Sequence, residues 1–486
     1  MDCKIAKGKI EEFSCDALIA LVYQGEFESV GGQFRKMLKL AIDDGHFRGI
    51  AGELFQFYPL EGTLARRFII VGLGKRELST PEIIRRAAGT AINSARKLKT
   101  VAFLPLDKPT ETIIPILDGA ILGDYRFHQL KSIKDTSNIE TAYFFIGNSN
   151  INDKYLDTLR IIDEGTCIAR DLANMPANLL NPASLAEDAA ELGKQFNIPV
   201  KILDEAQIEK LKMGALLGVA QGSANKPKLV VWEYKGGKAS DKPIVLVGKG
   251  VTFDSGGISL KPPDGMEAMK GDMGGAGAVI SMISVVGQIK PKINVVGITP
   301  LVENMPSGTS YRPGDILTAS NGKTIEIIST DAEGRLILAD ALVYAQKFDP
   351  KYIIDIATLT GACMVALGLN ICAGIMGKDQ KLIDNLIKAG DQSGERLWQL
   401  PLWDDYKELI KTPAADMKNS GGRWGGAISA AMLLSAFTEG YRWAHLDIAG
   451  TDREEAINPY RYKGATGYGV RLLSRFILNE AGVFRK

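Results

Sequence analysis

The loop GKGVTFDSGGISLKP, residues 248–262, combines a carboxylate with two ammonium groups. Asp254 stands between Lys249 and Lys261, and four glycines around them let the backbone approach a bound group closely and adopt positive φ. A phosphate-binding loop is one interpretation, but the pattern GxxxxGK followed by Ser or Thr is absent. A loop that mixes cations with an anion suits a site that polarises a substrate. A solvated loop with surface charges is the alternative.

Two further loops supply three more carboxylates. Asp272 lies in KGDMGGAGA at the start of a predicted apolar helix, where an N-cap is the alternative role for it. Asp331 and Glu333 stand two residues apart in STDAEGRL, where they can converge on one point. Arg335 follows them and is a candidate for neutralising the pair.

Histidine cannot supply a full set of metal ligands, because the chain has only three: His46, His128 and His445. Each is interpreted as a structural residue. The four carboxylates are hard anionic donors that suit divalent Zn, Mn or Mg. A carboxylate shared by two ions about 3.5–4 Å apart is the usual arrangement in two-metal hydrolases. The residue types therefore indicate a carboxylate-rich divalent-metal site.

Apolar runs of strand length precede the loops that carry these side chains. Ile244–Gly248 leads into Lys249, and Thr324–Ile328 leads into Asp331. Near-continuous apolar strands that alternate with helices are typical of a mostly parallel sheet covered on both faces. In such sheets ligands bind at the loops that leave the carboxyl ends of the strands. The other strands predicted in this part are Leu229–Tyr234, Ile293–Pro300, Tyr352–Ala357 and His445–Ile448.

The length of 486 residues is too great for one hydrophobic core, and it predicts two domains. We expect an α/β fold with a smaller N-terminal α/β domain at 1–150 and a connecting helix at 151–175. A larger C-terminal α/β domain at 176–486, with a mostly parallel central sheet, then carries the site.

Composition excludes several classes of partner. The 58 basic residues nearly balance 57 acidic ones, so a general electrostatic attraction to nucleic acid or to an anionic membrane is not expected.

The N-terminal MDCKIAKGKIEEF has no apolar segment of a secretory signal, and no run approaches the roughly 18 apolar residues of a membrane helix. Five dispersed cysteines without CxxC spacing indicate reduced thiols. A cytoplasmic location is predicted.

The glycine-bounded loops resemble the defining motifs of the cytosolic leucyl aminopeptidase family, which includes bacterial aminopeptidase A. The matching segments occur in order over about residues 165–470, and they are GKGVTFDSGGISLKP (248–262), DMGGAGAV (272–279), TDAEGRL (330–336), ATLTGA (357–362), HLDIAGT (445–451) and KGATG (463–467). The resemblance implies a metalloprotease that releases N-terminal amino acids from peptides, with leucine preferred and broad tolerance. It also implies a homohexamer, with 176–486 as the catalytic di-metal peptidase domain.

The same resemblance implies two divalent metal ions per subunit, Mn or Zn, and a set of ligands for them. The positions that match ligands of the tightly held ion are Lys249, Asp254, Asp272 and Glu333. Asp254, Asp331 and Glu333 match the ligands of the exchangeable ion, so Asp254 and Glu333 bridge. A lysine can ligate a metal only after it loses its proton, and its pKa is movable when it is dry and near cations.

Two further positions match catalytic residues that are not ligands. Lys261 is expected to stabilise the oxyanionic gem-diolate, and Arg335 is expected to hold a bicarbonate that shuttles protons. The positions that match the wall of the substrate side-chain pocket are Met269, Thr358, Gly361 and Ala449. Ser329 replaces the family's usual Asn, and the charged tract Asp452–Tyr462 is a less familiar segment that is expected to alter the pocket rim.

Three alternatives to this interpretation remain open. Some bacterial members also act as architectural proteins on DNA, so one alternative is an architectural DNA-binding protein with secondary peptidase activity. A gel shift at low salt separates that role from the peptidase. A nucleotide-dependent enzyme that uses the loop at 248–257 is another alternative, which ATP-binding calorimetry tests. The third is an inactive family member, although all seven expected catalytic and ligand positions are filled.

Overall fold

The computed structural model describes residues 1–26, 32–59 and 65–484, which form two compact units. Unit 1 comprises Met1–Cys167 and Glu455–Lys463, and unit 2 comprises Ile168–Glu454 and Gly464–Lys486. The division falls inside a continuous helix, Asp153–Asn174, which spans most of the predicted connecting segment. The predicted α/β class with two domains is confirmed, and the limits proposed at 150 and 175 stay a prediction.

Unit 1 is built on a sheet that is parallel except at one edge. Its strands are β1 (Asp2–Ile5), β2 (Cys15–Val22), β3 (Leu54–Phe57), β4 (Ala65–Gly72), β5 (Thr100–Phe103) and β6 (Thr141–Phe144). Its helices are α1 (Gly32–Asp43), α2 (Pro81–Ala95), α3 (Pro109–Asp124) and the first part of α4 (Asp153–Asn174), with 3₁₀ turns at Ile10–Glu12 and Arg76–Leu78. The strand order is β1-β6-β5-β2-β4-β3, with β3 antiparallel to β4. The most apolar strands, β2 and β4, therefore lie inside the sheet and not at its edges, as burial of both faces requires.

Unit 2 alternates strands and helices along most of its length. Its strands are β7 (Val200–Leu203), β8 (Lys228–Lys235), β9 (Ile244–Gly248), β10 (Gly250–Asp254), β11 (Asn294–Asn304), β12 (Ile316–Thr318), β13 (Thr324–Glu326), β14 (Tyr352–Ala357), β15 (Ala373–Gly377), β16 (Leu397–Gln399), β17 (Met417–Lys418), β18 (Trp443–Asp447), β19 (Arg453–Glu454) and β20 (Gly464–Ala465). Its helices are α5 (Pro182–Phe196), α6 (Glu205–Lys210), α7 (Gly214–Ala220), α8 (Gly274–Ile289), α9 (Gly334–Ala345), α10 (Gly361–Leu367), α11 (Gln380–Ser393), α12 (Gly426–Ser435) and α13 (Val470–Glu480), with 3₁₀ segments at Met266–Gly271, Gln346–Phe348 and Asp404–Ile410.

The large sheet of unit 2 has the strand order β16-β15-β18-β14-β9-β11-β8-β7, and β10 pairs with β11. Its central strands β18, β14, β9 and β11 run parallel, which confirms the predicted mostly parallel sheet. Because the strands point the same way, their carboxyl ends share one edge. At that edge β9 ends at Gly248, β14 at Ala357 and β18 at Asp447, so the loops that carry Lys249, Thr358 and Ala449 begin there.

Helix α8 packs in the core of unit 2. With the preceding 3₁₀ segment it spans Met266–Ile289, which in the described part of the chain is long and apolar enough to cross a membrane. However, 83% of its apolar window is buried inside the protein, as in the core helix of a globular domain. Gly275 permits this packing, because a Cβ there would lie 2.1 Å from the carbonyl oxygen of Ile356. The first turn of α8 is therefore held against the end of β14.

One predicted strand lies elsewhere than expected. The run Thr324–Ile328 forms only the short strand Thr324–Glu326, which belongs to a separate sheet of order β12-β13-β17 and not to the large parallel sheet. Ile325 is its fully buried residue, and the flanking positions are partly exposed. An apolar run this short is buried on one face only, so it pairs at the periphery.

Candidate active site

Lys249 is held between β9 and β10 by the close approach of helix α8. A Cβ on Gly248 would lie 2.4 Å from the carbonyl oxygen of Gly275, so glycine is required where the two backbones meet. The Lys249 backbone N–H donates to Ile356 O at 3.1 Å, and its carbonyl oxygen accepts from Ala276 N at 2.8 Å. These contacts fix the direction in which the side chain leaves the sheet edge.

The ammonium of Lys249 lies among carboxylates in a buried position. Its Nζ is 2.7 Å from Asp272 Oδ1 and 2.9 Å from Glu333 Oε1, and it donates to Thr358 O at 2.8 Å. Burial alone would lower the pKa of Lys249, but the carboxylates of Asp272, Glu333 and Asp254 outweigh burial and raise it. The lysine is therefore protonated as long as no other cation neutralises these acids.

Three buried carboxylates form the centre of the site. Asp254, Asp272 and Glu333 offer oxygen atoms that all lie within 4.8 Å of one another. Burial, together with the neighbouring carboxylate of Glu333, raises the pKa of Asp254 and of Asp272. Among the described residues Glu333 Oε2 is buried and has no hydrogen-bond partner. Crowded, desolvated oxygens with an unused acceptor fit a divalent cation, since such a charge relieves both their repulsion and their desolvation.

Lys261 and Asp331 extend the cluster towards solvent. Lys261 Nζ lies 2.7 Å from Asp254 Oδ2 and 2.5 Å from Asp331 Oδ1, with about a fifth of its side chain exposed. Asp331 is more exposed and does not belong to the group of three close carboxylates. It joins that group through Lys261. Burial would lower the pKa of Lys261, but Asp254 and Glu333 raise it, so the ammonium is charged at neutral pH.

The guanidinium of Arg335 is buried beside the carboxylates and only partly satisfied. Its Nη1 donates to Asn419 O at 2.8 Å, whereas its buried Nε has no hydrogen-bond partner in the described part of the chain. Burial lowers the pKa of Arg335 to about 10, and Glu333, Asp447 and Asp331 oppose that effect. The side chain is still cationic at neutral pH, so it presents an unused donor to an anion.

The predicted pocket residues surround the same sheet edge. Thr358 follows β14 and donates from Oγ1 to Asp272 Oδ1 at 2.7 Å. Met269, in the 3₁₀ segment, is partly exposed and accepts from the Asp272 N–H at 3.2 Å. Gly361 begins α10, and a Cβ there would meet open space. Ala449 lies in the turn after β18 and is partly exposed.

The N-cap alternative for Asp272 is wrong. Helix α8 begins at Gly274, its N-cap position is Met273, and no side chain caps it. The carboxylate of Asp272 instead accepts from Lys249 and from Thr358. The glycines at the start of α8 let its first turn pack against the strands, so Asp272 points to the lysine and not back to the helix amides.

Asn304 supports the site, and the sequence patterns did not identify it. Its Nδ2 donates to Asp254 Oδ1 at 2.9 Å and to Thr330 O at 2.9 Å, which links the loop of Asp254 to the loop of Asp331. In the parallel pairing of β10 and β11, Asp254 and Asn304 are register partners. The predicted strand ended at Pro300, four residues too early to place Asn304 at this edge. The apolar residues Leu301 and Val302, which continue the strand beyond Pro300, were the available signal.

Asn419 supports the other side of the same loop and is fully buried. Its Oδ1 accepts from Ile328 N at 2.8 Å and from Ser329 N at 3.3 Å, and its Nδ2 donates to Ser329 O at 2.6 Å. Its own carbonyl oxygen holds Arg335. Asn419 therefore holds the backbone of Ser329 on both of its polar groups, and the Ser329 hydroxyl accepts from Asp331 N at 3.3 Å.

We expect Asn419→Ala to lower the free energy of unfolding by about 3 kcal/mol, because the variant loses three hydrogen bonds to the backbone of Ile328 and Ser329, at about 1 kcal/mol each. Thermal and urea unfolding measure this change. Ser420→Ala is the matched control, since the Ser420 hydroxyl accepts an exposed hydrogen bond from Gly422. Equal stability of the two variants would contradict the structural role of Asn419.

Comparison with known proteins gives one consistent result for both units. Residues 167–474 match the model of the cytosol aminopeptidase family catalytic domain, and residues 22–134 match that of its N-terminal domain. A probable cytosol aminopeptidase of Geotalea uraniireducens is 46% identical over 424 residues, which covers 85% of each chain. That of Nitrosomonas eutropha is 41% identical over 99% of each chain.

A solved structure agrees with these relatives. The bottromycin maturation enzyme BotP in complex with Mn has a TM-score of 0.85 and 30% identity to this chain. The match covers 96% of this chain and 100% of BotP. The resemblance seen in the sequence motifs is confirmed: this chain belongs to the cytosol aminopeptidase family, and it is a hydrolase with aminopeptidase activity.

Proposed function

We propose that the chain releases N-terminal amino acids from peptides with the help of two divalent metal ions, Mn or Zn. The proposed ligands are Lys249, Asp254, Asp272, Asp331 and Glu333. The observation that carries this proposal is the buried group Asp254, Asp272 and Glu333, in which Glu333 Oε2 has no partner among the described residues. The structural relative BotP, which was solved in complex with Mn, supports a metal of this kind.

Divalent ions bound there would supply Lewis acidity, which polarises a peptide carbonyl and lowers the pKa of water. Lys249 can be a metal ligand only when its amine is neutral. The neighbouring carboxylates keep it protonated when the cluster contains no other cation, as its raised pKa indicates. Neutralising those carboxylates removes the cause of the raised pKa, and burial then favours the neutral amine that a ligand must be.

Lys261 is proposed to stabilise the negative charge that develops on the carbonyl oxygen of the substrate. Its ammonium lies between Asp254 and Asp331 on the more exposed side of the cluster, so it can reach a peptide that enters from solvent. A fixed cation directed at a developing oxyanion is among the largest contributions a site can make. We do not assign Lys261 a ligand role, because Lys249 is the lysine that is fully enclosed by the carboxylates.

Arg335 is proposed to hold a bicarbonate that moves protons between water and the leaving amine. The support is its unused Nε donor and its charge at neutral pH. Among the described residues, the group of three close carboxylates includes no histidine that could act as a general base. The bound anion would supply the proton-accepting oxygen, and Arg335 would hold it in position.

The proposed pocket is formed by Met269, Thr358, Gly361 and Ala449. The open space at Gly361 and the small Ala449 leave room for a side chain, and Met269 is flexible enough to adapt to several shapes. We therefore propose broad specificity, with leucine preferred among apolar residues. A cytoplasmic location is proposed from the names of the relatives, and the homohexamer stays a prediction.

The test of this function is hydrolysis of leucyl-p-nitroanilide before and after metal removal. We expect exhaustive chelation to abolish release of nitroaniline and added Mn or Zn to restore it. Metal analysis of the restored enzyme should give about two ions per chain, as a two-metal site requires. Full activity in metal-free protein, or restored activity with one ion per chain, would overturn the proposal.

A further inference from the structure

Asp452 is a carboxylate near the site that the proposed mechanism does not use. In the described part of the chain its carboxylate forms no salt bridge. The charges of Arg453 and Lys249 lower its pKa, and the charge of Asp447 raises it. It is partly exposed, yet protein atoms surround it on most sides, so it lines a recess.

The backbone places Asp452 on the same side as a proposed pocket residue. The turn after β18 is helical, because the Asp452 N–H donates to Ile448 O at 3.0 Å. Residues three apart on such a turn share a face, so Ala449 and Asp452 face the same way. The carbonyl oxygen of Asp452 accepts from Thr466 N at 2.8 Å, which fixes this turn from the other side.

Gly274 lies close both to Asp452 and to Thr358, which is bonded to one of the carboxylates of the site. A Cβ on Gly274 would lie 3.5 Å from Thr358 Cγ2, 3.7 Å from Asp452 Cβ and 3.9 Å from Ile448 Cδ1. These three side chains therefore lie in one group around Gly274, each within van der Waals distance of the position of a Cβ. Thr358 also bonds Asp272 through Oγ1, so one wall of the recess begins at the carboxylate cluster and the opposite wall carries Asp452.

The Asp452 carboxylate forms no salt bridge in the described part of the chain, and a cationic ligand could supply one. Burial raises the pKa of Asp452 to about 7 against the opposing charges of Arg453 and Lys249, which reflects the cost of keeping a poorly solvated carboxylate ionised. Lysine and arginine side chains have apolar stems and charged ends. The stem would contact Thr358 and Ala449, and the charged end would reach Asp452.

We propose that Asp452 is the acidic end of the substrate side-chain pocket and selects peptides with lysine or arginine at the N-terminus. This inference rests on the proposed function, because the recess is a substrate pocket only if the carboxylate cluster is the catalytic centre. The preference for leucine then applies among apolar residues, and basic residues are better substrates than apolar residues of equal length.

The test compares lysyl- with norleucyl-p-nitroanilide, whose side chains differ only by the terminal amino group, on the Mn-loaded enzyme. We expect kcat/KM to favour the lysyl substrate by about tenfold or more, and Asp452→Asn to remove that preference mainly through KM. With leucyl-p-nitroanilide, whose side chain has no charged end, this variant should change kcat/KM far less than with the lysyl substrate. Glu267→Gln, which neutralises an exposed acid near Met269, should change neither ratio.

The outcomes separate this inference from the function on which it rests. An unchanged lysyl-to-norleucyl ratio in Asp452→Asn, with leucyl hydrolysis intact, would overturn the role of Asp452 and leave the metal mechanism standing. A wild-type enzyme that hydrolyses none of these substrates with metal would overturn both. If Asp452→Asn unfolds at a lower temperature than the wild type, Asp452→Ala replaces it, and the same ratio decides.

Discussion

Asp254→Asn is expected to abolish metal binding and hydrolysis together. Asp254 belongs to the buried group of three carboxylates, and its Oδ2 also lies 2.7 Å from Lys261 Nζ. The amide keeps the shape but removes the charge that a shared ligand contributes. Because Lewis-acid catalysis supplies several kcal/mol and each 1.4 kcal/mol is tenfold, kcat/KM should fall by about 10³-fold or more.

The loss can be separated from unfolding by melting the protein with and without Mn. Wild-type protein should melt at a higher temperature when Mn is present, since a ligand of the native state stabilises it. Asp254→Asn should lose that increase. Its metal-free form should melt no lower than the wild type, because burial and the neighbouring Glu333 carboxylate, which raise the pKa of Asp254, both disfavour a charge at this position. Asp264→Asn, in an exposed loop, is the control. A variant that still melts higher with Mn would refute the assignment of Asp254.

Lys261→Ala is expected to keep both metal ions and lose turnover. Removing one donor to a developing oxyanion costs about 10²–10³-fold in kcat, and we expect a fall of that size. The measurements are the metal content after dialysis and the kcat for leucyl-p-nitroanilide. Metal content should match the wild type, because the buried carboxylates that hold the ions remain in place.

Lys292→Ala is the control for this variant, since it removes an exposed ammonium elsewhere in the same unit. Without metal, Lys261→Ala should be less stable than the wild type, because Asp254 and Asp331 lose the cation between them. Added Mn should compensate for that loss. If Lys261→Ala bound no metal, Lys261 would be a ligand and the division between ligands and catalytic residues would be wrong.

The carboxylate chemistry was predictable because it depends on residue types and on their position after apolar strands. With three histidines in the chain, a metal site had to consist mainly of acids. The strand Ile244–Gly248 was predicted with its exact limits, and it places Lys249 at the sheet edge. The motif resemblance supplied the family, which the comparisons confirmed.

Supporting residues were not predictable, because their role depends on contacts between distant segments. Asn304 and Asn419 are ordinary polar residues in the sequence, yet one holds Asp254 and the other holds the backbone of Ser329. The separation along the chain between Asn419 and Ser329 is 90 residues. No local pattern reports a hydrogen bond over that distance.

By itself the sequence determined the fold class, the family and the acids available for chemistry, since these follow from apolar periodicity, motif order and residue type. The tertiary structure alone decided how the acids are used. It placed Asp272 against Lys249 and not on the amides of α8, because glycines allow that helix to approach β14 closely. It also placed Asp452 beside Gly274 and close to Thr358. Asp452 and Thr358 are 94 positions apart in the chain. Charge repulsion, burial and close backbone packing are properties of neighbours in space, and they exist only once the chain has folded.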